Sequence, residues 1–146
     1  MRLDQGGLID RARPLDFSFN GRVFQGFQGD TLASALLAND VRLVGRSFKY
    51  HRPRGIFTAG SEEPNALVSV GAAGRHMPNV RATVQEVFNG LQARSQNAWP
   101  SVGFDVMAVN DLLSPFLGAG FYYKTFMWPK AFWERLYEGF VIKPRT

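Results

Sequence analysis

From Leu15 to Phe19 the chain alternates apolar and polar residues as Leu-Asp-Phe-Ser-Phe, and after Asn20-Gly21 a second run, Arg-Val-Phe-Gln-Gly-Phe, fills Arg22 to Phe27. Alternation at period two marks a half-buried strand, and Asn-Gly supplies the positive φ angles that a two-residue hairpin turn needs. The two runs predict a hairpin. Gly29-Asp30-Thr31 then offers a helix N-cap, and Leu32 to Asn39 sets Leu32, Ala33, Leu36 and Leu37 on one apolar face. A glycine- and proline-marked basic loop runs from Val41 to Pro64, too long for a mere connector in a compact domain. Beyond it, Ala66 to Val70 reads as a short buried strand and Gly71 to Gly74 as a turn. Val80 to Val87 reads as a further strand burying Val80, Ala82, Val84 and Val87. Strand, strand, helix, long loop, strand, strand is the order of an α+β fold of the β-grasp type, assigned to residues 1–95.

Residues 96–146 have another texture. Ten of the residues between Phe116 and Phe140 are aromatic, half of the chain's phenylalanine, tyrosine and tryptophan. Pro129 suits the first turn of a helix reaching about Glu138, with Phe132, Trp133, Leu136 and Tyr137 on one side. Each such ring buries about 150 to 250 Å² when packed, more than a small grasp domain readily covers. Trp128, Phe132, Trp133 and Tyr137 are therefore expected to dock on a further domain or a partner subunit, with folding back onto the chain's own sheet as the other arrangement. The polar side of this helix mixes both signs of charge, which disfavours a membrane-surface role.

A chain of 146 residues is about one domain, and no apolar run approaches the ~18 residues of a membrane span. The opening residues lack an apolar leader, so the expected compartment is the cytoplasm. The absence of cysteine excludes disulfides, thiolate-bound zinc and cysteine-ligated iron-sulfur clusters. The net charge of +5 is uneven: Arg42, Arg46, Lys49, Arg52 and Arg54 crowd one loop around Tyr50 and His51. Such a patch is compatible with a nucleic-acid module, yet no helix-turn-helix, zinc finger or RNP-like motif accompanies it. The preferred reading pairs Arg46, Lys49, Arg52 and Arg54 with acidic groups of this or a neighbouring polypeptide, or with a nucleotide phosphate there. Glu62 and Glu63 are expected to be solvated or paired with nearby arginines, and His51 and His76 to be hydrogen-bonding surface or loop residues.

The first ninety or so residues resemble the small 2Fe-2S subunits of amine and opine dehydrogenases. In that family the cluster loop reads Cys, four residues, Cys, two residues, Cys, then Leu-Val, with a fourth cysteine after an Arg-Ala pair. Here the stretch from Phe57 to Val68 fits the spacing and Arg81-Ala82-Thr83 fits the last element, so the resemblance lays the cysteine positions on Thr58, Glu63, Ala66 and Thr83. Neither a methyl group nor a neutral hydroxyl replaces a thiolate at iron, which implies that no cluster is held.

A second resemblance covers nearly the whole chain. Gly29 to Asn39, Val44 to Ile56, Gly60 to Leu67, Asn110 to Phe116 and Phe121 to Pro129 are all similar to the α subunits of heterotetrameric sarcosine oxidases. In that family a cysteine-free ferredoxin-like domain precedes a dinucleotide-binding domain and a folate-binding one. Thr146 comes before any Gly-x-Gly-x-x-Gly fingerprint, so the chain is expected to be a fragment. The resemblance implies a parent complex that oxidatively demethylates sarcosine to glycine with FAD, FMN, NAD and tetrahydrofolate. Its partners would be the remaining α-subunit domains and the other oxidase subunits. No catalytic, cofactor-binding or metal-binding residue carries over to this chain. The implied role is a non-catalytic interaction domain, with an accessory domain of a related amine or opine oxidase or dehydrogenase as the alternative.

Overall fold

A computed structural model describes residues 2, 3, 5–72 and 74–115. Its hairpin joins β1 (Asp10–Phe19) to β2 (Arg22–Gln28), with φ of 52° at Asn20 and 79° at Gly21. Both central turn residues thus adopt the left-handed conformation that matches strand twist. Phe17 and Phe19 point inward and are buried, and the Phe17 ring lies 5.9 Å from that of Phe24.

Helix α1 (Leu32–Ala38) starts where its cap is: the Thr31 hydroxyl oxygen accepts from the Ser34 N–H at 3.2 Å. Its buried face is Leu32, Ala33, Ala35 and Leu36, whereas Leu37 is largely exposed, a rotation away from the face expected from the apolar pattern. The cause is close packing on β2. A Cβ built on Gly26 would meet the Ala35 Cβ at 3.3 Å, so the smallest side chains turn toward the sheet.

Within the long loop β3 (Gly45–Arg46) and β4 (Pro53–Arg54) pair with each other, and past it come β5 (Leu67–Ala72), β6 (Arg75–Arg81) and β7 (Gln92–Ser95). The main sheet has the order β2-β1-β7-β5-β6. β1 and β7 run parallel and the other neighbours antiparallel, giving the mixed sheet of a β-grasp. Gly71, at φ +128°, would bring any Cβ into the Arg75 carbonyl, which confines this hairpin position to glycine.

One strand expectation is corrected and one strand is unanticipated. The strand read at 80–87 lies earlier, at Arg75–Arg81, and Val84 is exposed. Residues 82–87 leave the sheet to cover the start of α1, where Leu32 and Ala33 donate to the carbonyls of Gln85 (2.7 Å) and Ala82 (2.8 Å). Those two N–H groups have no partner inside the helix, and this segment supplies one. The centre of the sheet is β7, a strand with no expectation attached to it. Its Gln-Ala-Arg-Ser lacks strand-forming residues and is selected by the slot between β1 and β5. A 3₁₀ turn at Val106–Ala108 runs into α2 (Val109–Leu112). Trp128, Phe132, Trp133, Tyr137 and the helix expected from Pro129 lie outside the described residues. Among the described residues no helix is long and apolar enough to cross a membrane.

Candidate functional site

Between β4 and β5 the chain folds around one carboxylate. Glu63 is 1% exposed, and its two oxygens collect backbone N–H donors from both limbs of the loop. Oε2 accepts from Phe57 (2.8 Å) and Thr58 (2.5 Å), while Oε1 accepts from Asn65 (2.7 Å) and Ala66 (3.0 Å). The Thr58 hydroxyl adds a longer bond to Oε2 at 3.3 Å. A carboxylate has about four lone-pair sites, so this one is saturated. Burial alone would raise its pKa. The amides of Thr58, Asn65, Ala66 and Phe57 favour the charged form more strongly and bring it from 4.5 down to about 2. At neutral pH Glu63 is ionised and fully engaged, so it is built to hold a loop and is poorly placed to accept a proton from a substrate.

The four positions that the resemblance assigns to cysteine meet here. Thr58 and Ala66 donate to Glu63, and the Thr83 hydroxyl, just past β6, closes the loop by donating to the Gly60 carbonyl at 2.7 Å. The main chain around Glu63 is tied down as well, its carbonyl accepting from Arg81 Nε at 3.3 Å. Of the two acids expected to be solvated or arginine-paired, only Glu63 departs. Glu62 is exposed and bonds the Gly60 N–H, while Glu63 turns inward onto amides. The signal available in the sequence was its position, an acid at the second ligand place of the spacing.

The basic loop is organised by a second buried carboxylate. Asp105 Oδ2 lies 2.6 Å from His51 Nδ1 and 3.7 Å from Arg46 Nε. Its Oδ1 accepts from the N–H groups of Trp99 and Met107, each at 3.1 Å. Arg46 also donates to the carbonyls of Val102 (2.9 Å) and His51 (2.8 Å). His51, expected as a hydrogen-bonding surface or loop residue, is a hydrogen-bonded loop residue that is buried, at 1% exposure and φ +56°. His76 is exposed. Nothing in the local sequence marks Asp105 as a partner of residues more than fifty positions earlier.

The remaining cations are more superficial. Arg52 donates to Asp111 at 2.7 Å across a half-exposed pair, and both Arg52 and Lys49 sit over the Tyr50 ring, at 4.8 and 4.9 Å from its centre. Arg54 bonds the Asn65 side chain at 2.9 Å and so ties the basic loop to the loop around Glu63. Arg46, Arg54, Asn65, Asn79 and Asn97 border a recess of about 410 Å³.

Residues 12–98 match the family described as the 2Fe-2S iron-sulfur cluster binding domain, and the chain belongs to that family. Within it the chain is a homologue of sarcosine oxidase subunit alpha. It is 70% identical over 137 residues to that subunit from Rhizobium meliloti (strain 1021), an alignment covering 94% of this chain and 14% of the relative. It is 46% identical over 93 residues to the subunit from Corynebacterium sp. (strain U-96), covering 60% of this chain and 9% of the relative. The chain therefore spans a small part of the length of these curated relatives. Among solved structures, L-proline dehydrogenase from P. horikoshii superposes with a TM-score of 0.50 at 24% identity, over 63% of this chain and 17% of that one, a likeness of fold.

The residues present do not fit the family's cluster. A 2Fe-2S centre is held by thiolates, and this chain has no cysteine. The amides that face the middle of the loop already point at the Glu63 carboxylate, and among the described residues no group of three or more histidines or acids could hold a metal ion.

Proposed function

We propose that this chain is a structural and docking module of a sarcosine oxidase-type α subunit, with no electron transfer or catalysis of its own. The observation that carries the reading is Glu63. In a chain 70% identical to a sarcosine oxidase α subunit, a buried carboxylate takes up the amides of the loop that names the family. A domain that keeps the loop and lacks the electron carrier is maintained for its shape and surface.

The assembly it serves would oxidise the N-methyl group of sarcosine with FAD and FMN, bind NAD in the same α subunit, and pass the one-carbon unit to tetrahydrofolate. Its partners would be the other α-subunit domains and the other subunits. The docking surface would combine Lys49, Arg52 and Arg54 with the aromatic stretch around Trp128, Phe132, Trp133 and Tyr137, residues 1–95 forming the grasp unit and 96–146 the extension. Exposed apolar side chains at Trp99, Phe104 and Leu112 support a surface made for contact. A nucleic-acid role is disfavoured because Arg46 is turned inward and Arg52 and Arg54 already have partners on the chain.

The test is purification of the native complex through an affinity tag on this chain. Flavin-bearing subunits in fixed ratio, without iron, are expected, and replacing Arg52 and Arg54 by Glu should lower that ratio. Stoichiometric iron, or recovery of the chain without any flavin protein, would overturn the reading.

A further inference from the structure

The family's cluster is an anion wrapped by a loop, and this chain keeps the loop while lacking every thiolate. We propose that residues 57–66 form an anion-binding nest whose occupant is the chain's own Glu63 carboxylate, and that removing this side chain leaves a site for a small free carboxylate such as formate.

The geometry is that of a receptor. Phe57 and Thr58 donate from one limb of the loop and Asn65 and Ala66 from the other, two amides to each oxygen, at 2.5–3.0 Å. Converging backbone N–H groups of this kind make concavities that bind anions, iron-sulfur centres among them. The pocket is closed: Glu63 is 1% exposed, Ala66 is fully buried, and the Thr83 hydroxyl holds Gly60 across the loop. Among the described residues no lysine or arginine pairs with the carboxylate. Arg81 bonds the Glu63 carbonyl and Arg54 the Asn65 side chain, so the charge is met by the four amide dipoles and, at longer range, the Thr58 hydroxyl. Such a site selects for a single negative charge spread over two oxygens and for small size.

The loop therefore depends on an anion and not on iron. Glu63 supplies that anion permanently, with a pKa lowered to about 2 that keeps it charged across the physiological range. This assignment rests on the loop alone and stands or falls separately from the oxidase reading.

Thermal unfolding of the full chain tests it, with wild type and Glu63→Ala compared in sodium formate and in neutral formamide at constant ionic strength. A ligand that binds only the folded state raises the melting temperature with its concentration. The expected result is a rise of several degrees in Glu63→Ala with formate, none with formamide, and none in wild type with either. Equal responses in both proteins, or no formate response in Glu63→Ala, overturn the proposal. Should Glu63→Ala fail to fold without formate, the wild type decides through carboxyl carbon NMR. A Glu63 titration near pH 2 that shifts the Phe57, Thr58, Asn65 and Ala66 amides together supports the nest, and a midpoint at the ordinary glutamate value sinks it.

Discussion

Glu63 and Asp105 both bury a carboxylate in a loop, and they recruit their partners over different ranges. Glu63 draws on residues at most six positions away and mainly on backbone N–H groups, with the Thr58 hydroxyl as a longer addition. Asp105 reaches across 54 residues to a histidine side chain and approaches an arginine, adding two nearby amides. Backbone donors do not titrate and are lost only to proline, so the first arrangement depends little on which other side chains occupy the donor positions. The second is a tie between side chains, vulnerable at each of its members, and it joins the basic loop to residues 96–115.

The contrast is broken most severely at Glu63. Glu63→Ala strands four buried or part-buried amides and is expected to destabilise the chain by about 4 kcal/mol, measured by urea unfolding, with Glu63→Gln losing less because its carbonyl still accepts. A loss under about 1 kcal/mol would mean that water satisfies the amides as well as the carboxylate does.

Acid provides the second lever. The Glu63 pKa falls from 4.5 to about 2 on folding, so the stability it contributes is fully present above pH 4.5 and is lost as pH drops toward 2. At 1.36 kcal/mol per unit the loss is about 3 kcal/mol. Acid unfolding followed by circular dichroism should lose this component in Glu63→Gln, and superimposable wild-type and variant profiles would argue against it.

A third perturbation is aimed at the longer tie. Asp105→Asn removes the charge beside His51 and Arg46 but keeps an acceptor for Trp99 and Met107, with an expected loss of about 2 kcal/mol. Amide hydrogen exchange should quicken across residues 96–115 and the basic loop while the amides on Glu63 keep their protection. Uniform quickening would show one cooperative unit instead of two.

The smallest effect belongs to the rim. The Arg52–Asp111 pair is about half exposed on both sides, so Arg52→Ala should cost about 0.5 kcal/mol and become neutral in high salt. A loss above about 2 kcal/mol would place Arg52 among the buried ties.

How much could be read in advance follows the same division of range. The hairpin was legible because Asn20-Gly21 and the flanking alternation are local, and the helix because Thr31 caps its own neighbour at Ser34. Convergence of positions 58, 63, 66 and 83 was reached through the family spacing. The carboxylate's inward turn was not, because an acid beside a second acid looks like surface. β7 escaped because Gln92–Ser95 has no strand character, and Val80–Val87 misled because its apolar residues serve the start of a helix as well as a sheet.

By itself, then, the sequence determined the local turns, the cap, the order of the hairpin and first helix, and the loss of every thiolate. Each of these depends on residues within a few positions or on simple presence. Only the tertiary structure decided that β7 is central, that His51 and Arg46 are drawn inward by Asp105, and that Glu63 fills the loop. Strand order and buried charge are set by which distant groups the fold brings within a hydrogen bond, and no periodicity along the chain encodes that distance.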